Sequence, residues 1–364
     1  MSDMRLVGFI ILFLSLGSCD EDPVIDPGDL SDIPYQPTAY VLDRPSGFPQ
    51  LEIPSDNPLT VEGIWLGRKL FFDPIVSADS TMSCSSCHLQ GGNFTDNLKV
   101  STGVDGIPGR RSAMSLLNVA FHYSGLFWDG RSPGLEEQAL LPIEDPIELH
   151  ESWPNVEEKL RRHPVYPADF RRAFGINHTS EISRDLATKA IAQFERTLIS
   201  SGQSKYDRFM RGEIFLDDSE FNGMEMFFDV NNELPDAECN HCHAPPLFAI
   251  NEFRNNGIEP VSSLAEFPDK GRGEVSGDSL DNGKFKTPTL RNIEFTAPYM
   301  HDGRFKNLEE VLDHYNSGGH RQKNTDPLIR PLGLTPAQKQ DILAFLRTLA
   351  DTTFLNNPDH SNPF

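Results

Sequence analysis

Cysteine is scarce in this chain of 364 residues: there are five. Four of them sit in two Cys-x-x-Cys-His segments, so no pair is left for a disulfide. Basic residues are the minority charge, 32 Lys and Arg against 54 Asp and Glu, giving a formal net charge of −22. That balance excludes nucleic acid and an anionic lipid surface as partners. It favours a basic partner through electrostatic steering, or else serves solubility alone. Apolar runs long enough to cross a bilayer are missing, and so is sustained strand-like alternation. Tryptophan occurs only at Trp65, Trp128 and Trp153.

What the N-terminus does have is a short apolar run from Leu6 to Leu16, the length of a signal-peptide core rather than a span. It ends in Leu16-Gly17-Ser18-Cys19, which resembles the lipobox of bacterial lipoproteins. Residues 1–19 are therefore predicted to be a lipoprotein-type signal peptide, with Cys19 the acylated first mature residue. The n-region carries only Arg5, beside Asp3, so an ordinary cleaved signal or an uncleaved anchor is the competing reading. Residues 20–58 are rich in Asp and Pro, a composition that predicts a disordered tether. The remainder divides into domains at 59–205 and 206–352, with a tail at 353–364. The expected location is outside the cytoplasmic membrane, as a periplasmic or cell-surface lipoprotein held by its lipid alone.

The two segments are Cys84-Ser85-Ser86-Cys87-His88 and Cys239-Asn240-His241-Cys242-His243. This spacing is the attachment signature of c-type haem: two thiols add to the vinyl groups, and the His lies under the ring as an axial iron ligand. Half of a zinc site is the alternative for either copy alone. Two copies in matching surroundings favour two covalent haem c groups, bound through Cys84, Cys87 and His88 and through Cys239, Cys242 and His243. Export agrees, because c-type haem in bacteria is attached outside the cytoplasmic membrane.

The surroundings repeat. Leu59 to Asp73, with apolar Val61, Ile64, Trp65, Phe71 and Phe72, predicts an amphipathic helix stopped by Pro74. Asp218 to Asp229 repeats it before the second segment. After each segment, Leu117-Asn118-Val119-Ala120-Phe121 through Phe127-Trp128-Asp129-Gly130-Arg131 parallels Arg291-Asn292-Ile293-Glu294-Phe295 through Met300-His301-Asp302-Gly303-Arg304. Helices follow at Leu135 and Leu308, the second capped by Asn307 with Glu310. Closing helices are predicted from Ser183 to Ile199 and from Thr335 to Ala350, the latter with Pro336 at its first position and a box from Thr335 to Gln338. The predicted fold is all-α: two cytochrome c-like domains packed face to face.

The repeat also sets the two halves apart. Seven positions into the matched helices, the second copy has Tyr315 and the first has Pro142. A tyrosine can ligate iron through its oxygen; a proline side chain cannot. If this helix delivers the sixth ligand, the first iron is open and the second closed. His314, Met300 and His301 compete with Tyr315 as donors, and an ordinary half-buried tyrosine is the plain alternative. His122, His150, His163 and His178 read as surface or packing residues.

Residues 58 to 350 resemble the bacterial dihaem cytochrome c peroxidase superfamily, which includes a MauG-type branch. The resemblance is carried by Leu-Phe-Phe-Asp-Pro, Phe-Trp-Asp-Gly-Arg, Glu-Gln-Ala-Leu-x-Pro-Ile-Glu-Asp-Pro, Phe-Glu-Arg-Thr-Leu and Thr-Ala-Pro-Tyr-Met-His-Asp-Gly-Arg-Phe. It implies that peroxide reacts at the N-terminal haem, that His88 and His243 are proximal ligands, and that Glu148 is the distal acid–base group. Glu144 is the alternative on the residues alone. Gln138 and Pro142 match other distal positions, and Trp128 matches a tryptophan between the haems. Tyr315 falls where some members have Met and MauG-type members have Tyr. Thr296 and Pro298 match carbonyl ligands of an inter-domain calcium ion, although Ser112 stands where the family has Asn. In the loop from Lys99 to Arg111, Val104 replaces the His that many peroxidases bring onto the resting iron. No tryptophan precedes the second segment, where Ala237-Glu238 stand, so the methylamine dehydrogenase maturation role is not expected to carry over. The implied activity is reduction of hydrogen peroxide to water, with electrons from a small cytochrome c or copper protein. A MauG-like oxidase of a partner's aromatic residue and a non-enzymatic dihaem carrier are the rivals.

Overall fold

A computed structural model describes Met1 and residues 26–364. The whole Leu6–Cys19 reading and the start of the tether lie outside the described residues. The chain is helical with little sheet. Its helices are α1 (Val61–Phe72), α2 (Cys84–Cys87), α3 (Leu135–Glu144), α4 (Trp153–Arg162), α5 (Tyr166–Phe174), α6 (Arg184–Glu195) and α7 (Lys205–Met210), followed by α8 (Asp218–Phe228), α9 (Arg272–Ser276), α10 (Leu308–Ser317), α11 (Pro336–Arg347) and α12 (Thr352–Leu355). Among the described residues one two-stranded antiparallel sheet pairs β1 (Phe253–Arg254) with β2 (Phe285–Lys286). No helix among the described residues is long and apolar enough to cross a membrane.

Local sequence sets the helix ends. The Thr60 hydroxyl accepts from the Gly63 N–H to open α1, and the Thr335–Gln338 box opens α11 with Pro336 at its first position. Asn307 caps α10 through the Glu310 N–H. The Glu310 carboxylate reaches Lys306 rather than Asn307, so the box expected there is only half formed.

Two helix pairs carry the packing, α1 against α6 and α8 against α11. Both crossings run through glycine. A Cβ on Gly67 would fall 1.8 Å from the Ala190 carbonyl oxygen, and one on Gly223 would fall 1.9 Å from that of Asp341. The buried residues of α1 are accordingly Gly63, Leu66, Gly67, Lys69, Leu70 and Phe71. Val61 and Trp65, expected among them, stay 47% and 45% exposed. Large side chains would hold the helices too far apart for this crossing, and that overrides the apolar count.

The N-terminal half buries Leu66, Leu70, Trp153, Phe170 and Ile191; the C-terminal half buries Met226, Phe227, Phe248, Ile342 and Phe345. Each such side chain contributes about 1.5–3 kcal/mol. The repeat is visible in the backbone. Asn118 and Asn292 both take left-handed conformations (φ 61° and 59°), which Asn tolerates better than most residues. Their N–H groups donate to Leu198 (2.8 Å) and Leu349 (3.2 Å), just past α6 and α11.

One segment differs from expectation. From residue 26 onward the segment read as a disordered tether lies on the folded body. Leu30 joins the N-terminal core and its N–H donates to Asn177 (2.8 Å); Phe48 and Leu51 pack with Phe121 and Ile199. A few well-spaced apolar residues suffice when the grooves already exist. The tail returns to the first half as well. Phe354 and His360 are buried against Phe94, and the Arg68 guanidinium donates to the Ser361 carbonyl (2.7 Å).

Candidate active site

Each Cys-x-x-Cys-His segment opens onto a cavity. In the first, Ser83 and Ser86 cap the single turn of α2. His88 follows, its Nδ1 2.8 Å from the Phe94 carbonyl oxygen. In the second, His243 Nδ1 lies 3.2 Å from the Phe248 carbonyl oxygen. An Nδ1–H donated to a carbonyl fixes the ring and leaves Nε2 as the ligand atom. Burial lowers both imidazole pKa values and so favours the neutral, ligating form. Phe94 and Phe248 are 0% exposed, so both carbonyls are rigidly placed. The four thiols are free. Among the described residues no group of three or more His, Cys, Asp and Glu converges to hold a metal, and the two segments do not pool into a zinc site.

The first cavity is the roomier, ≈ 370 Å³ against ≈ 240 Å³. Gln138 and Pro142 reach it from α3, and Glu148 from the turn that follows. Burial pushes the Glu148 carboxyl up to about 7, with Asp145 adding to the shift and Arg131 opposing it. The Val104 N–H donates to the Glu148 carbonyl oxygen (2.8 Å), so the loop that lacks a histidine anchors the backbone of the acid. Glu144, the alternative on sequence, is solvent-exposed and does not line the cavity.

The second cavity receives Tyr315 and Met300. Asn256 Nδ2 lies 3.4 Å from the Tyr315 oxygen and 3.4 Å from the Met300 sulfur. Burial pushes the phenol up to about 12. Two of the competing donors are otherwise engaged: His301 stacks on Phe285, ring centroids 3.6 Å apart, and His314 Nε2 is 3.0 Å from the Asn256 carbonyl oxygen. Trp128 borders both cavities, and its indole N–H donates to the Ser112 carbonyl (2.9 Å).

The di-haem cytochrome c peroxidase family model matches residues 61–214. The methylamine utilization protein MauG of Methylorubrum extorquens is 35% identical over 84% of this chain and 82% of its own length. Cytochrome-c peroxidase IdrP1 of Pseudomonas sp. (strain SCT) is 33% identical over 87% of this chain and 88% of its own. The chain belongs to the dihaem cytochrome c peroxidase family. It is an oxidoreductase of that type. Among solved structures, a MauG-like protein associated with microbial copper homeostasis superposes with a TM-score of 0.81 at 35% identity, covering 89% of this chain and 99% of that one.

The family implies haem, and both cavities fit it: each presents two thiols outside any disulfide and an imidazole whose outer nitrogen is already tied down. The calcium expectation fits less well. Thr296 and Pro298 lie at the junction, but the Ser112 hydroxyl donates to the Met300 carbonyl (3.0 Å) instead of standing free as a ligand. Calcium therefore enters no step below. Three further residues border the cavities. His122 and Lys286 line both, although His122 had read as a surface or packing residue. Glu195 lines the first, and extending the repeat through Phe-Glu-Arg-Thr-Leu against Phe345-Leu346-Arg347-Thr348-Leu349 singles it out.

Proposed function

We propose that the protein is an exported dihaem c-type peroxidase that reduces hydrogen peroxide to water: one peroxide, two protons and two electrons give two waters. Peroxide is taken at the N-terminal haem, held by Cys84, Cys87 and His88. Electrons come from a small cytochrome c or copper protein by way of the C-terminal haem, held by Cys239, Cys242 and His243. Residues 59–205 and 206–352 serve as the two cytochrome c-like domains, and lipidated Cys19 ties the chain to an envelope membrane. The observation that carries this reading is Glu148, a carboxyl half-buried in the roomier cavity and balanced between its two protonation states near neutrality.

Bound in the cavities, haem supplies O–O cleavage and one-electron storage. Ionised Glu148 accepts the proton from the near oxygen of peroxide and returns it to the far oxygen, which leaves as water. The Gln138 amide orients the peroxide, and Pro142 offers no side-chain ligand to the first cavity. Trp128 would couple haems held in the two cavities, and Tyr315 would help hold the one in the second. The decisive experiment is steady-state peroxide reduction with a reduced cytochrome or copper donor. Sustained turnover in wild type that collapses in Glu148→Gln supports the reading, and no turnover with any such donor overturns it.

Tyr315 at the second cavity and the 35% identity to a MauG protein favour one further reading, a peroxide-dependent oxidase of an aromatic residue in a partner protein. A peroxide-dependent mass change in a co-purified partner, without donor turnover, identifies that case.

A further inference from the structure

We propose that Glu195 is a second acid of the N-terminal haem cavity, one that takes up a proton when that haem is reduced and releases it when the haem is oxidised. This rests on the peroxidase reading only in placing a haem on His88. Glu195 ends α6, is 4% exposed and lines the cavity. Its Oε2 is buried without a hydrogen-bond partner. Its neighbour Arg196 does not serve it, being paired through both terminal nitrogens with Glu136 at 2.7 and 2.8 Å.

The repeat shows that packing does not demand an acid here. Phe194 and Leu198 match Phe345 and Leu349, and Glu195 matches Leu346, which lines the second cavity at the end of α11. The same place holds leucine where electrons are only to be passed on and a carboxyl where peroxide is to be reduced. An ionised, unpaired carboxylate in such a site is unfavourable, so the group rests neutral until positive charge appears beside it.

The charged groups facing Glu195 are few. Arg196 on its own helix and Glu136 of α3 act on it, in opposite directions, and Cys84 of α2 lies nearby. From α1, Phe71 meets Phe194; the C-terminal segment brings His360 close to Thr197, and burial holds that imidazole neutral down to about 4. Burial pushes the Glu195 carboxyl up to about 8, with Glu136 adding and Arg196 opposing.

Reduction by one electron removes one positive charge from the haem, and uptake of one proton by the Glu195 carboxylate restores it; only an O–H bond forms. The ferric state therefore lowers the Glu195 pKa and the ferrous state raises it. Between those two values the reduction equilibrium falls by up to tenfold per pH unit, about 59 mV for one electron.

The test is redox titration of the N-terminal haem in full-length, haem-loaded protein across neutral and alkaline pH. Wild type, Glu195→Gln and Glu195→Leu are compared, each also in a Glu148→Gln background that removes the other acid. The expected result is a potential that falls with pH whenever Glu195 is present and a flatter line when it is replaced, with the C-terminal haem unmoved. Should Glu195→Gln fail to load haem, Glu195→Leu carries the residue that the matching site already tolerates. Equal slopes with and without Glu195 overturn the proposal. Failure of the peroxidase reading shows separately, as absent peroxide turnover in wild type, while the slopes still decide the role of Glu195.

Discussion

The backbone N–H of Lys286 donates to the carbonyl of Trp128 at 2.8 Å, and across the junction the N–H of Ser112 donates to the carbonyl of His301 at the same distance. Ser112 and Lys286 are repeat mates, and so are Trp128 and His301. The halves thus grip each other by one reciprocal contact made twice. That symmetry is broken at the cavities: tryptophan against histidine between them, Pro142 against Tyr315, and Glu195 against Leu346.

Replacing Glu148 with Gln is expected to lower peroxide turnover by ~10²–10⁴-fold while the haem spectra stay unchanged. Because its carboxyl is raised to about 7, the ionised, proton-accepting form grows as pH rises through that value. The wild-type rate should therefore climb across neutrality, and the residual rate of the variant should not. Stopped-flow measurement over pH checks both.

Tyr315→Phe is expected to convert the second haem to a five-coordinate, high-spin ferric state visible by electron paramagnetic resonance. An unchanged signal assigns the ligand to Met300, the other donor beside Asn256. Absence of a high-spin signal from the first haem at rest counts against an open first site and favours the non-enzymatic carrier.

Gly67→Ala and Gly223→Ala should each destabilise the fold by at least about 1–3 kcal/mol, because the new methyl meets backbone rather than a movable side chain. Thermal unfolding is the measurement. Ala at Gly91, where no atom lies within 4 Å of a new Cβ, is the control and should leave the midpoint almost in place.

Arg111 joins the halves by pairing with Asp129 (2.6 Å) and Asp269 (2.7 Å). Arg111→Met leaves Asp269 without its cation and Asp129 with only the 3.3 Å contact from Arg131, at a cost of about 3–5 kcal/mol. The Arg111 guanidinium holds the Asp269 carboxyl below the usual carboxylate range against the opposing effect of burial. Its contribution to stability is present above the ordinary carboxylate pKa and is lost as pH falls through the depressed one. Wild type should therefore lose its advantage over the variant in acid, read as converging unfolding midpoints.

The two Cys-x-x-Cys-His segments, the helix caps at Asn307 and Thr335 and the repeat itself were legible in sequence because each depends on short spacing or on a residue's own hydrogen-bonding groups. Glu148 was legible only through family resemblance; on local pattern Glu144 was its equal. The exposed Trp65 shows why pattern alone failed on α1: apolar count cannot see that glycines bring α6 within backbone contact.

By itself, then, the order of residues determined two Cys-x-x-Cys-His segments, twin helical halves and the unlike pair Pro142 and Tyr315, all matters of local spacing. Only tertiary structure decided which carboxylates face a cavity, that Met300 stands beside Tyr315, that His122, Lys286 and Glu195 border the cavities, and that the segment from residue 26 and the C-terminal segment pack on the body. Those outcomes depend on burial and on partners remote in the chain, and a carboxyl's chemistry follows from what surrounds it rather than from what precedes it.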